Sequence, residues 1–231
     1  MGYTKTLSLA FLLAVGSLFL ISLPALCADE NPAPPAGKVE LKLELPEPFF
    51  GGTPIDYYSP NLELEDYKDR PPYFIPEGTT LISKDKPVTS SVPPTRGQLK
   101  QITDGDKDYG KKSVVELPAG LQWVQIDLEK ESTVYAIVVW HFHEGKRVYK
   151  DFIVTIGNDP EFKDGGKQVY NNDYDNSSGL GVGKDKEYIE NNKGRLIGIE
   201  EGVKGRYVRL YSNGNSYNDM NHYIEVEVYG K

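Results

Sequence analysis

The stretch "ITDGDKDYG", residues 102–110, spaces Asp104, Asp106 and Asp108 two apart around Gly105. Three carboxylates in a short, glycine-bent loop repel one another unless water screens them or a cation sits among them. Hard cations take oxygen ligands from carboxylates and carbonyls. The loop therefore has the chemistry for a cation and too few groups to complete a site alone. A solvated acidic turn is the other reading of the same residues.

The chain has three histidines, His141, His143 and His222. His141 and His143 are two apart in a strand-like phrase, which puts both on one face. With His222 they could hold zinc or copper, or they could serve as hydrogen-bonding groups with Arg147 beside them. Two loops are rich in Asn, Asp and Gly: "YNNDYDNSSGLGVGKD", residues 170–185, and "SNGNSYNDMNHY", residues 212–223. In the second, Asn213, Asn215 and Asn218 offer both donors and acceptors, which suits sugar hydroxyls, and Tyr217 or Tyr223 offers a stacking face. Turns demand the same residue types, although both loops are longer than a turn needs. Asn176-Ser177-Ser178 fits a glycosylation acceptor pattern.

These groups must be positioned by strands. "QWVQIDL" puts Val124, Ile126 and Leu128 on one face. "TVYAIVVWHF" is apolar on both faces through Val139 and opens at His141. "VYKDFIVTIGND" ends in a Gly-Asn-Asp turn. "RYVRLY" and "YIEVEVYG" alternate, the latter with Ile224, Val226 and Val228 inward. Short strands at this spacing, with no sustained helical periodicity, predict a sandwich or barrel. No internal repeat suggests a propeller or solenoid.

The first third of the chain reads differently. Of 16 prolines, only Pro118 and Pro160 follow residue 94. "DENPAPPAGK" has linker composition. "VELKLELPEPFFGG" alternates Val39, Leu41, Leu43 and Leu45 with polar residues, which predicts a strand. Tyr57-Tyr58 and Tyr73-Phe74 lie between prolines, and a solvated linker has no use for so many aromatics. This arm, residues 28–78, either packs along its own domain or docks on a partner.

Residues 1–27 read as an export signal: Lys5 supplies the positive start, Leu7 to Leu23 an uncharged apolar run, and "PALCA" the cleavage region. A retained anchor is the competing reading. A lipid on Cys27 is a further alternative, although Leu26 stands where Gly, Ala or Ser is usual. Cys27 is the sole cysteine, so disulfides, cysteine nucleophiles and iron–sulfur clusters are excluded. No haem or flavin is expected. With 26 Lys+Arg against 34 Asp+Glu, the formal net charge is −8. That disfavours binding to nucleic-acid phosphates, which depends on clustered cations. There is no P-loop, nucleophile elbow or His-Glu-x-x-His helix, so no enzyme is expected.

Several phrases resemble, in order, the discoidin or coagulation-factor type C domains of the galactose-binding-like superfamily. They are "LISKDKPVTSS", "LKQITDGD", "LQWVQIDL", "RYVRLY" and "YIEVEVYG", spanning residues 81–230. The resemblance implies an all-β, antiparallel jelly-roll β-sandwich over residues 79–231, preceded by the extended Pro-rich arm. It also implies a structural calcium between the aspartate-glycine loop and the closing strand, with Asp104, Asp106 and Glu225 as ligands. Ser113 stands where the family often has a Thr. Ligands would be taken by loops at one end, here by His141, His143, Arg147, Asn213, Asn215, Tyr217, Asn218 and His222. The expected function is that of an exported binding module for a carbohydrate or envelope ligand, located in the periplasm, outside the cell or on its surface. The alternative is an accessory subunit that docks on an exported protein partner through its arm and loops. A membrane would be contacted only through a lipid on Cys27 or an uncleaved signal.

Overall fold

The alternating phrases form antiparallel strands in the computed structural model, which describes residues 1–2, 32–49, 57–65, 68–110 and 112–231. The apolar run Leu7–Leu23, Cys27 and the arm stretches 50–56 and 66–67 lie outside the described residues. The expected signal and the lipid alternative lie there too. Among the described residues no helix is long and apolar enough to cross a membrane.

In chain order the strands are β1 (Lys38–Glu40), β2 (Phe74–Pro76), β3 (Thr80–Leu81), β4 (Val88–Ser90), β5 (Val115–Leu117), β6 (Gln122–Trp140), β7 (Ile153–Gly157), β8 (Lys167–Asn171), β9 (Arg195–Ser212), β10 (Asn221–Tyr223) and β11 (Glu225–Gly230). The phrases "QWVQIDL" and "TVYAIVVW" belong to one strand, β6. Its register with β9 breaks between Asp127 and Ser132, where Glu129 takes a left-handed φ of 66°. This bend lets β6 and β9 each serve two layers. Their halves around Gln122–Asp127 and Tyr207–Ser212 pair with β4 and β7, and β7 carries β8. The other half of β6 pairs with β11, which carries β3. Every ladder is antiparallel, and the layers close into the expected jelly-roll sandwich.

The main core lies between the layers and includes Val124, Ile126, Ile137, Val139, Val154, Val208, Leu210, Val226 and Val228. Successive strand residues point to opposite faces, so Val138 and Trp140 face away from Ile137 and Val139. They build a second buried cluster with Val114, Phe142 and Ile224, against which Leu43 and Tyr109 pack. The both-faces-apolar reading of this segment thus has a structural cause: part of the arm and the aspartate-glycine loop cover the outer face. Ile224, expected inward with Val226 and Val228, joins this second cluster because it falls in the break between β10 and β11.

The arm and the sandwich belong to one compact unit, Pro32–Lys231. Only Lys38–Glu40 of the alternating arm phrase pairs as a strand, with β2, and Val39 and Leu45 are exposed. Other contacts anchor described residues of the arm. Lys107 donates to the Glu44 carbonyl (2.8 Å) and Asn192 to that of Pro46 (2.9 Å). Tyr73 donates to the Tyr135 carbonyl (3.2 Å), and Arg195 grips both oxygens of Glu63 at 2.8 and 3.0 Å.

Candidate ligand-binding site

The loop between β9 and β10 is built by its own asparagines. Asn215 Oδ1 accepts the Tyr217 N–H (2.8 Å), while its Nδ2 donates to the Met220 carbonyl (2.6 Å) and to Asn218 Oδ1 (2.7 Å). Asn221 Oδ1 accepts the Gly214 N–H (2.7 Å), and its Nδ2 donates to the carbonyls of Pro118 and Gly120 (2.8 and 2.9 Å). Gly214 has φ +82°, and a Cβ there would lie 2.7 Å from the Asp219 carbonyl oxygen. Of the asparagines expected to face a ligand, Asn213 and Asn215 hold this conformation, and Asn218 is exposed at the loop tip with its Oδ1 accepting from Asn215. Asn213 Nδ2 donates to Asp151 Oδ2 (2.8 Å), which also accepts the Ser177 hydroxyl (2.9 Å). Asp151 therefore ties this loop to the second polar loop, where Asp173 accepts the N–H groups of Ser177 and Ser178 (both 3.0 Å).

The outcome is one aromatic side chain held outward. Tyr217 is 75% exposed, and the Arg147 guanidinium lies 4.7 Å from its ring centroid and 4.6 Å from that of Phe142. Arg147 and Tyr217 are thus brought together.

The histidines are not at the surface. His141, expected at an opening strand end, is fully buried, and His143 and His222 are 3% exposed. The aromatic surroundings of His141 explain this: it stacks on Tyr149 at 4.2 Å and meets Phe152 edge-on at 4.7 Å. Its Nδ1 lies 2.5 Å from Glu190 Oε1. His143 Nε2 lies 3.1 Å from the Lys107 carbonyl. His222 contacts the Tyr149 hydroxyl through Nδ1 (2.9 Å) and Glu116 Oε2 through Nε2 (3.1 Å). Both of its nitrogens are engaged, and the three histidines do not form a transition-metal site. Burial and the positive charge of Arg147 push His222 down to about 4; burial also lowers His143. Among the described residues, His141 Nε2, His143 Nδ1, Arg147 Nη1 and Glu190 Oε2 are buried without a hydrogen-bond partner. This polar interior behind the loop is the kind of place that ordered water fills. Glu116, Tyr149 and Glu190 carry no sequence signal of this role, because only the folded chain places them beside the histidines.

The aspartate-glycine loop follows a short 3-10 turn, Leu99–Thr103. Gly105 N–H donates to Glu225 Oε2 (2.9 Å), so the loop does meet the closing strand. Asp104 Oδ1 accepts the Asp106 N–H (2.9 Å), Asp106 Oδ1 the Asp108 N–H (3.0 Å), and Asp106 Oδ2 the Ser113 hydroxyl (2.8 Å). The expected carboxylates do not converge. Among the described residues, only Asp151, Asp173 and Asp175 bring three such atoms within 4.8 Å of one another. The Asp104 carbonyl accepts a hydrogen bond from Lys84 Nζ, and burial pushes Glu225 up to about 8. A calcium shell needs about 6–8 converging oxygens. With an ammonium at one of the loop's carbonyls, these residues do not fit one.

The model of the F5/8 type C domain matches residues 87–226. The chain belongs to the F5/8 type C domain family. The match takes in Asp104, Arg147, Tyr217 and Glu225, and it begins just after Lys84. No curated protein matches the chain. Among solved structures, similarity extends to the CBM32 module of AlyQ in complex with 4,5-unsaturated mannuronic acid, 20% identical over 63% of this chain and 95% of that one (TM-score 0.46). A Streptococcus pneumoniae fucose binding module is 20% identical over 65% and 97% (TM-score 0.47). The lectin binding domain of Lectinolysin complexed with Lewis b is 20% identical over 66% and 96% (TM-score 0.46).

Proposed function

We propose that this F5/8 type C domain is an exported, non-catalytic carbohydrate-binding module that takes its ligand at the loop carrying Tyr217. The observation that supports this most is the locked loop presenting an exposed aromatic ring backed by Arg147. A sugar ring packs its C–H face on an aromatic side chain, and a rigid platform lowers the ordering cost of binding. Arg147 is the group that packs against this ring, so recognition is by stacking on Tyr217 together with hydrogen bonds to hydroxyls. A glycan array followed by titration calorimetry tests it: a defined saccharide should bind the full chain, and Tyr217→Ala should weaken that binding without changing the fold. Binding that is unchanged in this variant would remove Tyr217 from the site.

A second reading, an accessory subunit docking on an exported protein, has its own observation. Tyr58 and Leu64 on the arm are 90% and 94% exposed, although neighbouring arm residues are anchored to the sandwich. Buried aromatic anchors such as tyrosine carry much of the energy of protein interfaces. Loss of a co-purifying partner in Tyr58→Ser and Leu64→Ser, with sugar binding retained, would favour that role.

A further inference from the structure

The junction that would hold a cation in this fold already contains one that belongs to the chain. Lys84 sits in a tight turn in which the Lys86 N–H bonds to the Ser83 carbonyl (3.0 Å) and Asp85 has a φ of 57°. The turn is fixed on both flanks. On one, the Ser83 hydroxyl donates to the Val226 carbonyl (3.0 Å) and accepts the Val228 N–H (2.8 Å), which ties it to β11. On the other, the Asp85 N–H donates to the Thr103 carbonyl (2.8 Å), and the Thr103 hydroxyl donates to the Lys86 carbonyl (2.9 Å).

Between these two clamps the Lys84 side chain lies over Gly105. A Cβ on that glycine would meet its Cδ, Cε and Nζ at 3.7, 3.5 and 2.5 Å. The ammonium donates to the Asp104 carbonyl, and the Gly105 N–H one residue on donates to Glu225 (2.9 Å). One peptide unit thus joins the lysine to the closing strand.

We propose that the Lys84 ammonium takes the place of a structural calcium in this chain, bracing the aspartate-glycine loop against β11, and that the loop binds no divalent cation. The dispersed carboxylates of Asp104, Asp106 and Glu225 fit this arrangement.

The test uses the full chain, with thermal melting in millimolar calcium or excess chelator and terbium luminescence as a metal probe. Wild type should melt at the same temperature in both media, and Asp104→Asn should leave any terbium signal of the full chain unchanged. Lys84→Met should lower the melting temperature by about 2–4 °C, the shift that roughly 1 kcal/mol produces in a domain of this size. Lys84→Arg should recover part of that loss. The proposal is overturned if chelator destabilises the wild type but not Asp104→Asn, if the wild type binds terbium that Asp104→Asn loses, or if Lys84→Met melts like the wild type. Should Lys84→Met fail to fold, the wild-type chelator and terbium measurements still decide the point.

Discussion

The guanidinium of Arg147 lies 4.7 Å from the ring centroid of Tyr217, and Phe142 flanks it on another side at 4.6 Å. A cation against an aromatic face is attractive, so Arg147 acts as a brace that holds Tyr217 outward. Tyr217→Ala should weaken saccharide binding roughly fivefold, the equivalent of about 1 kcal/mol for an aromatic contact. Its melting temperature should stay within about 1 °C of wild type, as expected for an exposed side chain. Arg147→Lys should also weaken binding, because an ammonium cannot stack as a planar fork does. Calorimetry at low and high salt checks the remainder: near-constant affinity supports stacking and neutral hydrogen bonds.

His222 predicts an acid limb of stability. Its folded value of about 4 lies below the ordinary 6.5, with burial the main cause, then Arg147, opposed by Glu116. A depressed value means stability that is complete above pH 6.5 and is lost as pH falls towards 4, by at most on the order of 3 kcal/mol. His222→Gln should melt lower than wild type at pH 7 and show a flatter decline between pH 6.5 and 4. An identical pH slope in the two proteins would place the titration elsewhere.

Glu225 predicts the opposite limb. Its value is raised from 4.5 to about 8, chiefly by burial. The folded state therefore holds a proton that the unfolded state releases, so this contribution is complete below pH 4.5 and is lost as pH rises to 8. Glu225→Gln keeps the acceptor for Gly105 and removes the titration. Melting curves from pH 5 to pH 8.5 should show the variant gaining on wild type with rising pH.

Leu43 predicts what the arm does for the sandwich. It packs on the cluster containing Trp140, whose indole N–H donates to the Asn192 carbonyl (2.9 Å). Leu43→Ala should cost about 1 kcal/mol, or roughly 2–4 °C in melting temperature. Deleting residues 32–49 should cost more and shift tryptophan emission to the red. Unaltered emission would mean that other groups cover Trp140.

The strands were legible because one buried face imposes period two, as at Val226 and Val228. The order of the family phrases supplied their connection. The arm's fate was not legible, since Val39, Leu41, Leu43 and Leu45 alternate alike, yet Leu43 packs on the Trp140 cluster and Val39 and Leu45 are exposed. Which of them is used depends on where Trp140 lies, a contact about a hundred residues away in sequence. The same limit applied at the site. Sequence shows that His141, His143 and the loop asparagines are polar, but burial is decided by Tyr149, Phe152 and Glu190 arriving from other strands and loops. Lys84 was unreadable for a related reason: it is exposed like any turn lysine, and only the fold brings its ammonium to the Asp104 carbonyl.

Asp151 has one more consequence. One of its two carboxylate oxygens, Oδ2, accepts from Ser177 of one loop and from Asn213 of the other, and the residue itself holds a left-handed φ of 48°. The two loops therefore share a hinge pin, and neither can be lengthened or redrawn without disturbing the other. Variation in this face should be inherited as matched pairs of loops, and a graft that moves only one of them onto another sandwich would arrive without its mooring.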